Sequence, residues 1–180
     1  LAFSTYLFNT RGEVLLTRRA LGKATWPGVW TNSCCGHPRP GEAIEDAARR
    51  RIREELGLTV GPLVPLLPDF RYRAVDASGV VENELCPVFG AFVTDLDPDP
   101  DPDEVAEWAW VPWRRYAAAI AATPQVYSPW SVLQVGRLVE SLPADWPRVV
   151  PSPDAVGSSP APVAPVPLDA LGFTLAPASS

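Results

Sequence analysis

A thiol, an imidazole and a pair of carboxylates occupy two short motifs of this chain. Cys35 and His37 lie in Trp30-Thr31-Asn32-Ser33-Cys34-Cys35-Gly36-His37-Pro38, and Glu82 and Glu84 lie in Val80-Val81-Glu82-Asn83-Glu84-Leu85. Such groups transfer protons and ligate divalent ions. His37 is the chain's only histidine. If Trp30 to Cys35 is extended, side chains alternate in direction, so Cys35 and His37 share a side and Cys34 points away. Cys35 is therefore the better candidate for chemistry, although small buried cysteines without a chemical role are the commoner case. Glu82 and Glu84, two apart, project from one face of a strand and repel unless a cation or a shared proton lies between them. Their flanks, Val80, Val81, Leu85, Cys86, Val88 and Phe89, are those of a strand entering a core rather than of a solvated edge.

The elements that must position these groups are legible around them. Leu1–Phe8 and Glu13–Arg18 read as strands joined by Asn9-Thr10-Arg11-Gly12. A helix follows the Cys35 segment: Gly41 precedes it, Glu42, Glu45 and Asp46 put negative charge in its first turns, and Gly57 offers a left-handed stop. Ile44, Ala48, Ile52 and Leu56 form its apolar stripe, while Arg50–Glu54 and Arg51–Glu55 are i, i+4 pairs. Further extended segments are predicted at Leu63–Leu67, Phe70–Val75, Val80–Val93 and Ala106–Val111, with turn chemistry at Asp76-Ala77-Ser78-Gly79. Asp95 to Glu104, with its repeated prolines, reads as an exposed acidic loop and not a calcium site. Pro112 opens a short helix through Ile120, and Ser128-Pro129 caps and starts another through Glu140. Beyond Leu142, proline, alanine, serine and valine dominate, which predicts a poorly ordered tail.

Two sets of residues carry a family resemblance. The spacing Gly36-x5-Glu42-x7-Arg50-Arg51-Ile52-Arg53-Glu54-Glu55-Leu56-Gly57 resembles the Nudix box of diphosphate-processing enzymes, departing from it where Arg51 stands in place of a metal-binding glutamate. An arginine there repels a cation. Leu1-Ala2-Phe3-Ser4, Thr17-Arg18-Arg19-Ala20, the Trp26–Pro38 run, Asp69-Phe70-Arg71-Tyr72-Arg73, Glu82-Asn83-Glu84 and Ser128-Pro129-Trp130 resemble type I isopentenyl-diphosphate delta-isomerases, from Leu1 to about residue 140. The resemblance implies an α+β fold, a Nudix-like α/β/α sandwich with a mixed sheet over residues 1–142, followed by a disordered Pro/Ala-rich tail over 143–180. It implies interconversion of isopentenyl and dimethylallyl diphosphates through a tertiary carbocation, in a site that must be dry and must offer an acid and a base on opposite faces.

On that resemblance Cys35 and Glu84 are the acid/base pair, Tyr72 assists the carboxylate, and the ring face of Trp130 stabilises the cation, an interaction of about 2 kcal/mol when desolvated. His37, Glu82 and Glu84 match ligands of a divalent ion, for which manganese, zinc and magnesium all suit the mixed nitrogen and oxygen donors. Glu55 matches the ligand of the magnesium that accompanies the substrate diphosphate. Arg19, Lys23 and Arg51 match its diphosphate-binding positions. The family takes two further histidines from a segment upstream of Leu1. This chain has His37 alone and no methionine, which predicts that an N-terminal portion is absent here and that the first metal site is incomplete, with weak metal binding and little turnover.

Composition agrees with one soluble domain and excludes other classes. The 180 residues are 47% hydrophobic and 20% charged, enough for a single core. A net charge of −6 argues against nucleic acid as a partner. Three cysteines, two of them adjacent, point to reduced thiols and a cytoplasmic location. No apolar run reaches the length of a membrane span. The expected partner is a small prenyl diphosphate, and the expected state a monomer. Two alternatives stay open: a Nudix diphosphate hydrolase, and a prenyl-diphosphate-binding remnant without turnover.

Overall fold

The computed structural model of the protein describes residues 1–143 and 146–147. Its centre is β1 (Phe3–Phe8), buried at every position. β1 pairs antiparallel with β2 (Glu13–Arg19) at its end and with β4 (Cys34–Gly36) at its start, and parallel with β8 (Val88–Phe92) along its length. β2 also carries β3 (Trp30–Thr31) and β9 (Val105–Pro112), and β8 carries β5 (Val64–Leu67). The result is a mixed seven-stranded sheet. A separate hairpin, β6 (Arg71–Val75) with β7 (Val81–Leu85), pairs Tyr72 with Glu84 and Ala74 with Glu82.

Strand alternation sorts the core into two layers. Phe3 and Leu7 pack with Ala47, Ala48, Ile52 and Leu56 of α1 (Ile44–Leu56) on one face. Tyr6 and Phe8 face the other way, among Trp113, Tyr116 and Ile120 of α2 (Trp113–Ala122) and Trp130, Val135 and Leu138 of α3 (Pro129–Ser141). This is the α/β/α sandwich read from the sequence. α1 ends where its glycine allows: Gly57 has φ +67°, and its N–H donates to the Arg53 carbonyl. A Cβ there would also lie 3.0 Å from the Asp99 carbonyl oxygen, so glycine satisfies both conformation and close approach.

Three expectations need adjusting. The extended run Val80–Val93 is two strands in two different sheets, because the chain breaks around Cys86-Pro87 and proline cannot donate to a continuing ladder. Pro124–Val126 forms a 3₁₀ turn that no sequence pattern announced. Packing continues past Leu142, since Trp146 is buried and meets the Phe8 ring edge-on at 5.4 Å. The remainder of the 143–180 tail lies outside the described residues.

The approach to α1 is held by charge. Glu42 accepts from Arg50 Nε at 2.7 Å and Nη2 at 2.8 Å, and from the Arg39 N–H at 2.7 Å. These contacts hold its carboxyl down at about 2 from the usual 4.5. A depressed folded-state pKa contributes stability that is present above pH 4.5 and lost as pH falls through about 2. Thermal unfolding of Glu42→Gln should therefore lie below that of the parent at neutral pH, the two curves converging as the solution is acidified; a gap that persists in acid would assign the effect to something other than the carboxylate.

Candidate active site

Where β1, β4, α1, the hairpin and the start of α3 meet, a cavity of about 710 Å³ opens to solvent. Every candidate site residue of the sequence reading lines it: Arg19, Lys23, Cys35, His37, Arg51, Glu55, Tyr72, Glu82, Glu84 and Trp130. Strand register explains how the thiol arrives. Ser4 of β1 is paired with Cys35 of β4, and the side chains of β4 alternate. Cys34 is buried among Leu7, Leu15, Ile52 and Leu56 on the α1 side, whereas Cys35 packs against the opposite layer, the one that holds Trp130. Between Cys35 and His37 stands Gly36, where a Cβ would lie 3.0 Å from the Phe3 ring and 3.1 Å from Arg51 Cγ. Only glycine lets Arg51 pass there unhindered.

The apolar part of the cavity is organised by a carboxamide that the sequence reading passed over. Asn32 is fully buried; its Nδ2 donates to the carbonyls of Thr5 and Cys34, both at 3.0 Å, which fixes the amide plane. Its Oδ1 accepts from Cys35 Sγ at 3.1 Å and from Trp130 Nε1 at 3.0 Å, so one oxygen aims both the thiol and the indole. Ser4 Oγ lies 3.4 Å from Cys35 Sγ and from Cys86 Sγ and accepts from Gln134 Nε2 at 2.9 Å, leaving its own proton for a sulfur. Burial pushes the Cys35 thiol up to about 11, against the opposing pull of Ser4. At neutral pH Cys35 is a thiol. Trp130, 3% exposed, is ringed by aromatic edges, Trp26 at 5.4 Å and Tyr72 at 5.9 Å, with the Arg19 guanidinium 5.4 Å from its ring centre.

The hairpin supplies the carboxylates. Tyr72 Oη donates to Glu82 Oε2 at 2.6 Å and to Glu84 Oε2 at 3.0 Å, and His37 Nε2 donates to Glu84 Oε1 at 2.5 Å. Burial works to raise the Glu84 carboxyl, but the hydrogen bond and charge of His37 outweigh it and hold the group low. The same hydrogen bond raises His37. Burial and the bond to Glu82 push the Tyr72 hydroxyl well up, so it stays a neutral donor. The donor set of His37, Glu82 and Glu84 fits a divalent ion in type, one nitrogen and two half-exposed carboxylates on one wall. Among the described residues, however, no three such side chains converge as a ready ligand group. The physical reason is that Tyr72 and His37 themselves answer the two carboxylates, and a cation would replace those bonds.

At the other end of the cavity the charges are paired more tightly than expected. Arg51 Nη2 contacts Glu55 Oε1 at 2.5 Å and Glu104 Oε1 at 3.1 Å, and Lys23 Nζ contacts Glu104 Oε2 at 2.5 Å. Burial pushes Glu55, 7% exposed, up to about 7 despite Arg51. Arg19 directs Nε and Nη2 at the carbonyls of Thr25 and Trp26, between 2.8 and 3.2 Å. Glu104 is the residue the acidic-loop reading missed. It ends a run of aspartates that composition assigns to solvent, and nothing local distinguishes it from them.

The class follows from fold and spacing together. Residues 1–131 match the NUDIX domain model. Solved structures share the fold: a Deinococcus radiodurans protein at 23% identity and TM-score 0.61, covering 76% of this chain and 81% of that one, and a MutT protein of Methanosarcina mazei at 20% identity and TM-score 0.59, covering 76% and 90%. This is a Nudix-domain protein. Within that class its similarity is to the curated isopentenyl-diphosphate Delta-isomerases of Saccharopolyspora erythraea, 57% identical over 159 residues covering 86% of this chain and 81% of that protein, and of Frankia alni, 61% identical over 135 residues covering 75% and 69%. The chain belongs to the isopentenyl-diphosphate Delta-isomerase family.

The Glu104 bridge generates a test of the cationic end. Glu104 neutralises Lys23 and Arg51 together, so Glu104→Gln should bind inorganic pyrophosphate severalfold more tightly than the parent in calorimetric titration, with a steeper salt dependence. Weaker binding would mean that Glu104 positions the cations for phosphate instead of competing with it.

Proposed function

We propose that this protein interconverts isopentenyl diphosphate and dimethylallyl diphosphate, with Cys35 and Glu84 as the proton-transfer pair. The observation that carries the reading is the meeting of a part-buried thiol, an ionised carboxylate and an indole face in one cavity that also holds Lys23 and Arg51. Membership of the isomerase family supports it. A hydrolase of the same fold has no use for the first three together.

Arg51 and Lys23, with Arg19 at the same rim, take the diphosphate, guanidinium forks suiting phosphate oxygens. That places the five-carbon end toward Cys35 and Trp130. Cys35 begins as a thiol and Glu84 as a carboxylate, so the thiol gives a proton to one alkene carbon and the carboxylate takes one from the allylic carbon. The double bond shifts, and one C–H bond forms as another breaks. In the reverse direction the two groups exchange roles. Before the next turnover in the same direction the proton on Glu84 must be replaced on Cys35. Tyr72 keeps its proton and donates to the carboxylate throughout. Trp130 offers its ring to the positive charge that develops between the two transfers.

His37, Glu82 and Glu84 would hold a divalent ion, manganese, zinc or magnesium, and Glu55 the magnesium that accompanies the diphosphate. When bound, such ions supply charge neutralisation to adjacent carboxylates and to phosphate oxygens. The free cysteines Cys34, Cys35 and Cys86 support work in a reducing cytoplasm, and the reading takes the monomer as the working unit. Among the described residues no helix is long and apolar enough to cross a membrane.

Product analysis by gas chromatography with manganese and magnesium supplied in excess, to offset weak binding at the His37 site, tests the proposal: the parent should form dimethylallyl product without releasing phosphate, and release of phosphate would favour the hydrolase instead. Cys35→Ala and Glu84→Gln should each abolish isomerisation with unfolding little changed, while Cys34→Ala stays close to the parent. Equal losses from the two cysteine changes would remove the assignment of Cys35. Trp130→Phe should retain partial turnover and Trp130→Leu lose about tenfold more, as loss of about 1.4 kcal/mol of transition-state stabilisation requires. If the two turn over alike, Trp130 is packing only.

A further inference from the structure

Among the described residues Trp26 is the one non-glycine at positive φ, +43°. A bulky side chain adopts left-handed backbone only where its surroundings over-determine it. Three fastenings do so here. Trp26 N–H donates to Asp76 Oδ2 at 2.9 Å, Arg19 reaches the carbonyls of Thr25 and Trp26, and Thr25 Oγ1 donates to Glu82 Oε1 at 3.1 Å. Asp76 sits fifty positions away, in the turn between β6 and β7, and is 8% exposed. Its other oxygen, Oδ1, accepts from the Ser78 N–H at 2.8 Å.

The local half of this arrangement suffices for the hairpin. The turn is already closed by the Ser78 bond, by Gly79 N–H to the Asp76 carbonyl at 2.9 Å and by Asp76 N–H to the Val80 carbonyl at 2.8 Å. The bond to Trp26 adds nothing to it. What that bond does is aim an indole: Trp26 meets Trp130 edge-on, 5.4 Å between centres and 86° between planes. Trp130 is otherwise tethered through its N–H to Asn32. The Asp76 carboxyl is held down at about 2 by its Ser78 and Trp26 backbone donors, so it is ionised throughout the working range.

We infer that Asp76 is a positioning residue: by holding Trp26 in the left-handed conformation it backs the Trp130 ring, fixing it against the reacting carbons and keeping water from them. The inference rests on the carbocation reading given under Proposed function and adds which residues protect that cation. Water that reaches a tertiary cation forms a C–O bond to it and then loses a proton, giving the tertiary alcohol of the same diphosphate. That product reports a leaking wall, which a mere loss of stability does not.

The test uses the full chain and isopentenyl diphosphate. Asp76→Ala should lower kcat by about 100-fold, the scale of a misplaced reacting geometry, with KM little changed, and should release tertiary alcohol beside the dimethylallyl product. Asp76→Asn keeps one acceptor oxygen for two donors and should fall between Asp76→Ala and the parent. Trp26→Gly accepts the positive φ without strain and needs no Asp76 contact to hold it, and once circular dichroism shows it folded it should leak alcohol likewise. Circular dichroism reads the geometry without turnover, because the exciton couplet of the close Trp26–Trp130 pair should vanish in Asp76→Ala. Retention of that couplet, or a Trp26→Gly enzyme with the parent's kcat and no alcohol, would overturn the inference. If the parent releases phosphate and forms no dimethylallyl product, the functional reading fails, and the couplet alone decides whether Asp76 positions Trp26.

Discussion

The register of β1 is the constraint on which the rest depends. All six residues from Phe3 to Phe8 are buried, so both faces of the strand are committed: Phe3 and Leu7 to α1, Tyr6 and Phe8 to α2 and α3. Ser4 is thereby set opposite Cys35 on one side and Val88 on the other. A slip of one residue along β4 would exchange Cys34 and Cys35 between the α1 side and the Trp130 layer. The close approach at Gly36, where a Cβ would lie 3.0 Å from the Phe3 ring and 3.1 Å from Arg51 Cγ, opposes it. Packing thus sets Cys34 among the α1 side chains and Cys35 in the layer that holds Trp130.

From that strand outward the cavity divides into regions with different physics. Around Cys35 and Trp130 the partners are neutral amides and hydroxyls, and burial keeps the thiol protonated. Along the hairpin, Tyr72 donates to Glu82 and Glu84, and His37 holds the Glu84 carboxyl low. At the α1 end, Arg51, Lys23, Glu55 and Glu104 are ion-paired with one another. A part-buried thiol, a pair of hairpin carboxylates and a cluster of paired cations are kept apart by the elements that carry them.

Much of this was legible in the sequence, for identifiable reasons. The strand pattern of Leu1–Phe8, the Gly57 stop and the Ser128-Pro129 start are local signals, and each stands where the sequence put it. The alternation that separates Cys34 from Cys35 is a property of any extended chain. What was not legible depends on contacts between distant positions. Asn32 and Ser4 read as ordinary polar residues, because their role lies in partners up to 130 positions away. Glu104 was hidden among loop aspartates, and no local pattern announced the bonds from Arg19 to the carbonyls of Thr25 and Trp26. The left-handed Trp26 had no signal at all, since the conformation is held by contacts from Arg19, Asp76 and Glu82 that lie apart from it along the chain.

The central claim is that two groups on separate elements, Cys35 on β4 and Glu84 on β7, work on opposite faces of one bound alkene. The stereochemistry of proton transfer tests this most directly. Isopentenyl diphosphate carrying chirally placed deuterium at the allylic carbon, with a stereochemically labelled terminal carbon, would be converted in deuterated water and the product's label positions read by nuclear magnetic resonance. The account predicts that the new C–H bond forms on the face opposite to the one from which the allylic hydrogen leaves. Delivery and removal on the same face would mean that a single group carries both transfers, and would contradict it.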